Sequence, residues 1–255
     1  MSNEETIKFK GDELATFTER GFQPILKIFL NRLDKFELQP IDTLKGKSVK
    51  TMSEGIDKPF LKGFIKPYSM EKCEKICLTN CILMDKILVC AIIIIPDDDH
   101  DFPMLSLEWS ETETAISLLA DFIPVADPVI TEGYREKYLD PLDESWTKYK
   151  GLPGMSPNRF AWARMLYSPY YLSGHFSKDN DQDKKQCLEI IGNYIDLWLE
   201  IMKKSDPVKD ESRKKILKTR KDCIRKIFRD NDEGSKTMSQ ILGQELIDLL
   251  LICNF

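Results

Sequence analysis

The stretch "DFPMLSLEWSETETAISLLADFIP" (residues 101–124) decides the fold of this chain, because it reads as two short strands joined by a polar turn. Strand alternation places Leu105, Leu107 and Trp109 on one face of the first strand, where they should pack under helices. The opposite face carries Glu108 among apolar residues and hydroxyls, Ser106 being one of them. The segment therefore predicts a sheet with one apolar face and one face that holds a carboxylate.

Further strand and helix signals lie on both sides of this segment. Two β-rich runs precede it, "KICLTNCILM" (75–84) and "ILVCAIIIIP" (87–96), and a later strand is expected at 165–176, with Pro169 at its start or on an edge. Helical patterns are expected at 12–36 (with Pro24 opening the main helix), 131–150 (broken at Pro141), 210–229 and about 237–251. A long amphipathic helix is expected before residue 210, with an apolar stripe of Cys187, Ile190, Ile191, Tyr194, Trp198 and Ile201. Helix, strands and then helices predict an α+β domain with helices packed on a meandering antiparallel sheet.

Length, composition and charge exclude several classes of protein. A chain of 255 residues with 42% hydrophobic and 31% charged residues is typical of a globular protein of one large or two small domains. The net charge of −5 argues against a protein that coats nucleic acid, and no apolar run approaches the roughly 18 residues of a membrane span. The sequence has no Gly-rich phosphate loop, which disfavours a nucleotide or a tightly bound NAD(P)H.

The cysteines indicate a reducing compartment. There are seven, an odd number without a disulfide-like framework. Cys73, Cys77 and Cys81 are evenly spaced, and either pack in the core or ligate an iron–sulfur cluster; the spacing matches no known cluster pattern, so the structural reading is favoured.

Glu108 has two readings from the sequence. A half-buried carboxyl between apolar neighbours would have a raised pKa, which suits a proton donor near neutral pH. A carboxylate on a solvated outer face is the alternative, and periodicity by itself favours this second reading.

Four motifs together resemble the ferredoxin-dependent bilin reductases, a superfamily that includes phytochromobilin synthase, the phycobilin:ferredoxin oxidoreductases and red chlorophyll catabolite reductase. They are "DFPMLSLEW" (101–109), "YREKYLDPL" (134–142), "YSPYYLSGHF" (167–176) and "NDEGSKTMSQILGQELIDLLL" (231–251). The resemblance runs from about residue 88 to the C-terminus. It implies an α/β/α sandwich with a central antiparallel sheet flanked by helices, formed as a single domain over residues 1–255.

The resemblance also assigns roles to residues. It implies that Glu108 and Asp232 are catalytic proton donors; several bilin reductases have Asp at the first position, whereas red chlorophyll catabolite reductase has Glu. His175 falls where the family usually has Arg or Lys for a propionate of the substrate. Ala91 departs from the His or Asn of some members. Further substrate-binding residues implied are Ser106, Ser168 and Asn231.

The implied activity is ferredoxin-dependent reduction of a linear tetrapyrrole, biliverdin or dihydrobiliverdin, through a bilin radical and without a metal or bound redox cofactor, as in phycobilin biosynthesis. Red chlorophyll catabolite reduction and non-catalytic tetrapyrrole binding are the alternatives. A monomer is expected. The acidic N-terminus is neither a signal nor a transit peptide, so the expected location is the cytoplasm, or the plastid stroma if the source is a photosynthetic eukaryote and a targeting segment is absent from this sequence. Acidic ferredoxin would dock on the basic stretch at 212–229, and a helix face that is merely solvated is an equally good explanation of its charge. The basic residues expected to be exposed there are Arg213, Lys214, Lys218, Lys221 and Arg225.

Overall fold

An antiparallel sheet of eight strands forms the centre of the molecule in a computed structural model that describes residues 23–33, 36–157 and 160–255. Its strands are β1 (Gln39–Pro40), β4 (Ile56–Lys58), β5 (Leu61–Met70), β6 (Cys73–Leu83), β7 (Ile87–Pro96), β8 (Met104–Glu111), β9 (Ala115–Ile123) and β10 (Leu172–Ser177). A small separate hairpin pairs β2 (Thr43–Leu44) with β3 (Lys47–Ser48).

The sheet is a meander, as predicted. Strands β5 to β9 are neighbours in chain order, β10 pairs with β9, and β1 and β4 both pair with β5. The predicted strands at 75–84, 87–96 and 101–124 are confirmed as β6 to β9. Strand β5 lies in a region, from about residue 59, whose composition is β-rich, but Gly63 and Pro67 interrupt its apolar pattern and the sequence does not identify it as a separate strand.

Helices precede, interrupt and follow the strands. They are α1 (Gln23–Leu33), α2 (Lys50–Glu54), α3 (Tyr134–Tyr138), α4 (Asp143–Tyr149), α5 (Ala161–Arg164), α6 (Asp181–Lys204), α7 (Glu211–Asn231), α8 (Glu233–Leu242) and α9 (Gln244–Asn254). A 3₁₀ turn at Asp140–Leu142 joins α3 to α4 and confirms the predicted break at Pro141. Pro24 lies in the first turn of α1, as expected, whereas the part of the predicted helix before residue 23 lies outside the described residues.

Two predicted elements differ in their bounds. The strand expected at 165–176 begins only at Leu172, because residues 165–171 form turns that include Ser168 and Pro169. The single C-terminal helix expected at 237–251 is two helices, and α8 and α9 meet at Gly243, whose positive φ of 85° ends a regular helix.

Helices cover the two faces of the sheet unequally. On one face α6 packs along β8, β9 and β10, and α1 packs on α6. The predicted apolar stripe of α6 is buried, and the Trp198 indole Nε1 donates a hydrogen bond to the Pro103 carbonyl at 2.8 Å. On the other face α2 and α9 cover β5 and β6, where Ile65, Cys77 and Cys253 form a second apolar cluster. In the part of the chain that is described, no helix combines the length and the apolar character that a bilayer crossing requires.

Candidate active site

The two faces of strands β7 to β10 differ in exposure although they share a backbone. We call one the closed face, because its residues are buried: Cys90, Ile92, Ile94, Leu105, Leu107, Trp109, Leu118, Ala120, Phe122 and Leu172. We call the other the open face, because eight residues on it are exposed or half-buried: Val89, Ala91, Glu108, Ser110, Ser117, Leu119, Ser173 and His175. Strand register aligns the open face in two rows, one from Ala91 through Glu108 to Ser173 and one from Val89 to His175.

Glu108 lies in the middle of the open face, with Ala91 beside it on β7 and Leu119 beside it on β9. Its side chain is accessible to solvent, yet the surrounding protein removes enough water to raise the pKa of the carboxyl. The Ser110 hydroxyl donates a hydrogen bond to it at 3.0 Å, which opposes the rise. Accessibility together with desolvation is the property of a group on the floor of a concave site.

Asp232 reaches the same site from the far end of the chain. It is the single residue between α7 and α8, where its N–H donates to the Phe228 carbonyl at 2.9 Å and its carbonyl accepts from the Lys236 N–H at 3.1 Å. The Asp232 carboxylate lies near enough to contribute to the raised pKa of Glu108. The structure therefore brings together the two acids that the motifs pair, although they lie 124 positions apart in the sequence.

Asp121 is a third acid of this region, and the sequence reading missed it. It pairs across β8 and β9 with Ser106 and is fully buried. Ser168 donates two hydrogen bonds to it, from its N–H at 2.9 Å and from its hydroxyl at 2.5 Å. Burial raises the pKa of Asp121 to about 7 in spite of these bonds. The missed signal was the even spacing in "SLLADFI", which places Asp121 on the same face as Ser117.

The four predicted substrate-binding residues occupy different positions. Ser106 is a buried part of the floor next to Asp121. Ser168 is buried and already bonded to Asp121. His175 is exposed on the open face, and its Nδ1 lies 2.8 Å from the Ser117 hydroxyl. The Asn231 amide donates to the Ile227 carbonyl of its own helix at 2.9 Å. Their contact with a substrate stays a prediction.

A cluster of aromatic rings lies close to these acids, since the charges of Glu108, Asp121 and Asp232 all act on the phenol of its member Tyr167. The Phe228 ring of α7 stacks on Phe255 with centroids 4.2 Å apart and meets Trp162 edge-on at 5.4 Å. Tyr167 contacts the same Phe228 ring at 6.4 Å. The end of α9 is fixed beneath this cluster, because Thr79 of β6 donates to the Asn254 side chain at 3.0 Å.

The predicted exposure of the basic residues of α7 is wrong for two of the five. Lys221 is fully buried, since its Nζ donates to the Pro96 and Asp97 carbonyls and to Asp98 at 2.6 Å. Arg225 is also buried and is paired with Glu74 and Asp222. These two side chains tie α7 to the end of the sheet, so they are not available for docking.

The other three basic residues are more accessible but not free of partners. Arg213 pairs with Asp101, Lys214 with Asp99 at 2.8 Å and Lys218 with Asp98 at 3.4 Å. Ile216 is 65% exposed, because the buried stripe of α7 runs through Leu217, Ile224 and Phe228. The outer face of α7 also presents Lys215, Lys226 and Arg229.

The cysteines of β6 are arranged as core residues. Cys73, Cys77 and Cys81 are all buried, and burial raises the pKa of the Cys81 thiol to about 12. Four residues of strand span roughly 13 Å, so successive thiols on β6 are too far apart to share one cluster. Among the described residues, no three His, Cys, Asp or Glu side chains are grouped as metal ligands.

These features define a class of protein: an α/β/α sandwich whose central sheet has an open face with acids on and beside it and an aromatic cluster nearby. Comparison with known proteins gives the family. The model of the family described as "Ferredoxin-dependent bilin reductase" matches residues 31–251. The chain belongs to this family of oxidoreductases.

Two relatives illustrate the likeness. The chain is 23% identical over 234 residues to the 15,16-dihydrobiliverdin:ferredoxin oxidoreductase of Nostoc punctiforme, covering 90% of this chain and 92% of that protein. The crystal structure of phytochromobilin synthase from tomato, in complex with biliverdin, superposes with a TM-score of 0.76 at 16% identity, over 90% of this chain and 81% of that one. The second comparison confirms the predicted fold.

Proposed function

We propose that this protein reduces biliverdin or dihydrobiliverdin, with electrons from reduced ferredoxin, and that the bilin passes through a radical. The observation that carries the proposal is the pairing of Glu108 and Asp232 at one open sheet face with an aromatic cluster nearby. The names of the two relatives support a bilin substrate, since one acts on dihydrobiliverdin and the other is bound to biliverdin.

The two acids have a clear chemical task in this reaction. Reduction of one double bond consumes two electrons and two protons, and ferredoxin delivers electrons one at a time. Each proton must therefore reach a chosen carbon of a bilin that already carries an added electron. Desolvation and the nearby Asp232 charge raise the pKa of Glu108, which favours the protonated carboxyl that can deliver this proton.

The open face suits the ligand as well as the chemistry. Ala91 and Leu119 flank Glu108 and offer a flat apolar surface for conjugated rings. Ser110, Ser117 and His175 lie in the next row, where they can contact the polar edge of the tetrapyrrole. We assign His175 to a propionate of the substrate, a role that requires its protonated form for a full ion pair.

The outer face of α7 is the surface we propose for ferredoxin. Lys214 and Lys218 remain at this surface, and Lys215 and Arg229 add exposed positive charge that the sequence reading did not include. The charge is complementary to an acidic partner, and the Phe228 ring of the same helix contacts Tyr167 at the site.

Reduction of red chlorophyll catabolite is a second candidate, favoured by one feature of the sequence. Position 108 holds Glu, which resembles that enzyme, rather than the Asp of several bilin reductases. A tetrapyrrole carrier is less favoured, since binding alone requires neither Glu108 nor Asp232.

Reconstitution tests the proposal. The protein is mixed under anaerobic conditions with biliverdin, dihydrobiliverdin or red chlorophyll catabolite, then with ferredoxin and a ferredoxin-reducing system, while the absorption spectrum is followed. We expect a sharpened, red-shifted spectrum on binding and conversion of one of the bilins on reduction. Binding without conversion of any substrate would indicate a carrier, and unchanged spectra with all three would overturn the proposal.

A further inference from the structure

Tyr167 differs from most tyrosines of this chain in the environment of its hydroxyl. Five tyrosine hydroxyls have protein hydrogen-bond partners: those of Tyr134, Tyr138, Tyr149, Tyr170 and Tyr194. Within residues 23–33, 36–157 and 160–255, the Tyr167 hydroxyl has none, and its side chain is only partly buried. A hydroxyl without a protein partner at the edge of a concave site is available to a ligand.

The position of Tyr167 is fixed from three sides. Its N–H donates to the Ala163 carbonyl at 3.1 Å, and its ring lies between Tyr171, at 5.7 Å, and Phe228, at 6.4 Å. The next residue, Ser168, is tied by two hydrogen bonds to Asp121 on the sheet floor. The Tyr167 ring is therefore held rigidly, as a group that must meet a ligand in one geometry.

The electrostatic surroundings of Tyr167 identify the site that it faces. Burial, followed by the charges of Glu108, Asp121 and Asp232, raises the pKa of the Tyr167 phenol. All three acids described above therefore act on this one hydroxyl. The phenol stays protonated across the physiological range, so it serves as a hydrogen-bond donor.

We propose that Tyr167 is a catalytic residue whose hydroxyl donates a hydrogen bond to a lactam oxygen of the bound tetrapyrrole. The inference rests on the proposed function and adds a third group to the two acids. When a bilin takes up an electron, negative charge spreads through the conjugated system onto its terminal lactam oxygens. A fixed donor at such an oxygen stabilises the reduced bilin more than the oxidised one.

Asp121 and Ser168 are positioning residues in this scheme. They fix the backbone of the turn that carries Tyr167, and neither has to contact the tetrapyrrole. Asp121→Ala removes both acceptors of the Ser168 hydrogen bonds and should reduce turnover, as Tyr167→Phe does. Asp121→Asn keeps an acceptor for the Ser168 N–H and should retain most of the wild-type turnover. Equal turnover in all three Asp121 forms would remove this positioning role.

The test compares Tyr167→Phe with Tyr170→Phe. Tyr170 lies in the same turn, but its hydroxyl is bonded to Asp140 at 3.0 Å, so its loss should leave turnover unchanged. For Tyr167→Phe we expect the bilin Kd to rise less than about tenfold, as for loss of one neutral hydrogen bond. Turnover should fall about a hundredfold, as for loss of one donor to a developing negative charge. The absorption band of the bound bilin should shift only in Tyr167→Phe.

The outcomes separate this inference from the proposed function. If wild-type protein reduces a bilin and Tyr167→Phe matches it in turnover and spectrum, the inference is wrong and the function stands. If wild-type protein binds a bilin without reducing it, the Kd and band position of Tyr167→Phe still decide whether the hydroxyl contacts the ligand. If wild-type protein binds no tetrapyrrole, both proposals fail.

Discussion

The two faces of strands β7 to β10 place alternate residues of the same segments in opposite environments. On the closed face, Leu107 is 2% and Trp109 4% exposed, beneath the layer of α6 and α1. On the open face, Glu108 between them is exposed, and Ala91 and Leu119 are half-buried. Each buried Leu, Ile or Phe side chain of the closed face contributes about 1.5–3 kcal/mol to folding. The open face lacks this stabilisation from burial, and its apolar surface with acids is left accessible to a ligand.

Replacement of Glu108 by Gln should have the largest effect on activity. Gln keeps the shape and the Ser110 contact but cannot release a proton, so turnover should fall about a hundred- to ten-thousand-fold while bilin affinity is retained. A bilin radical should accumulate, which anaerobic absorption and electron paramagnetic resonance spectra would detect. Glu113→Gln, in the exposed turn after the same strand, is the matched control. If Glu108→Gln turns over at the wild-type rate, Glu108 is only a polar residue of the floor and does not donate a proton.

A pair of Leu→Ala variants should separate the two faces by stability. Leu107→Ala opens a cavity beneath α6 and should cost about 2–5 kcal/mol of unfolding free energy. Leu119→Ala removes a half-buried side chain and should cost less than about 1 kcal/mol while it weakens bilin binding. Urea unfolding and bilin titration of both variants measure the contrast. Similar stability losses in the two variants would mean that the open face is part of the core.

The buried acid below the open face should make stability depend on pH. The pKa of Asp121 rises from 3.8 to about 7 on folding, so its contribution is fully present below pH 4 and is lost as the pH rises through 7. This loss can reach about 4 kcal/mol. Asp121→Asn has no such ionisation and should lose less stability than wild type between pH 4 and 8, as measured by thermal unfolding. Asp179→Asn, at an exposed loop residue, is the control and should show the same dependence of stability on pH as wild type. If the stability of Asp121→Asn also falls with pH as wild type does, the pKa of Asp121 is not raised.

The smallest expected effect is on the ferredoxin KM, and it compares helix α7 with helix α6, which covers the closed face. Lys218→Glu on α7 should raise the ferredoxin KM several-fold, and added salt should have a similar effect by screening the surface charge. Lys185→Glu, on the α6 helix that covers the closed face, should leave the ferredoxin KM unchanged. Bilin affinity should stay the same in both. If the two variants respond alike, ferredoxin does not dock on α7.

The sequence predicted the faces better than the site. Period-two alternation in "MLSLEWS" is a local signal, so it located Glu108 and the buried Leu107 correctly. The role of Asp121 does not follow from the sequence, because its partner, Ser168, lies 47 residues away in a segment whose pattern predicts a strand. Tyr167 was missed for the same reason, since only the folded chain brings it near Glu108 and Asp232.

The errors on α7 have a related physical cause. Helical spacing identifies a buried stripe, but it does not show which flanking lysine or arginine the neighbouring elements will cover. Lys221 is covered because the end of β7 offers two carbonyls and Asp98 to its ammonium group. A buried charge of this kind can be recognised only when its acceptors are known.

Titration of an Ala91→Trp variant with biliverdin tests most directly the claim that the open face is the tetrapyrrole site. Ala91 lies beside Glu108 on the floor, so an indole at this position should occupy the space of the ligand while the closed face stays intact. We predict that Ala91→Trp keeps the wild-type thermal stability within a few degrees and loses spectral binding of biliverdin, whereas Ala91→Ser binds it like wild type. Wild-type affinity in folded Ala91→Trp would contradict the account, because the tetrapyrrole would then bind elsewhere.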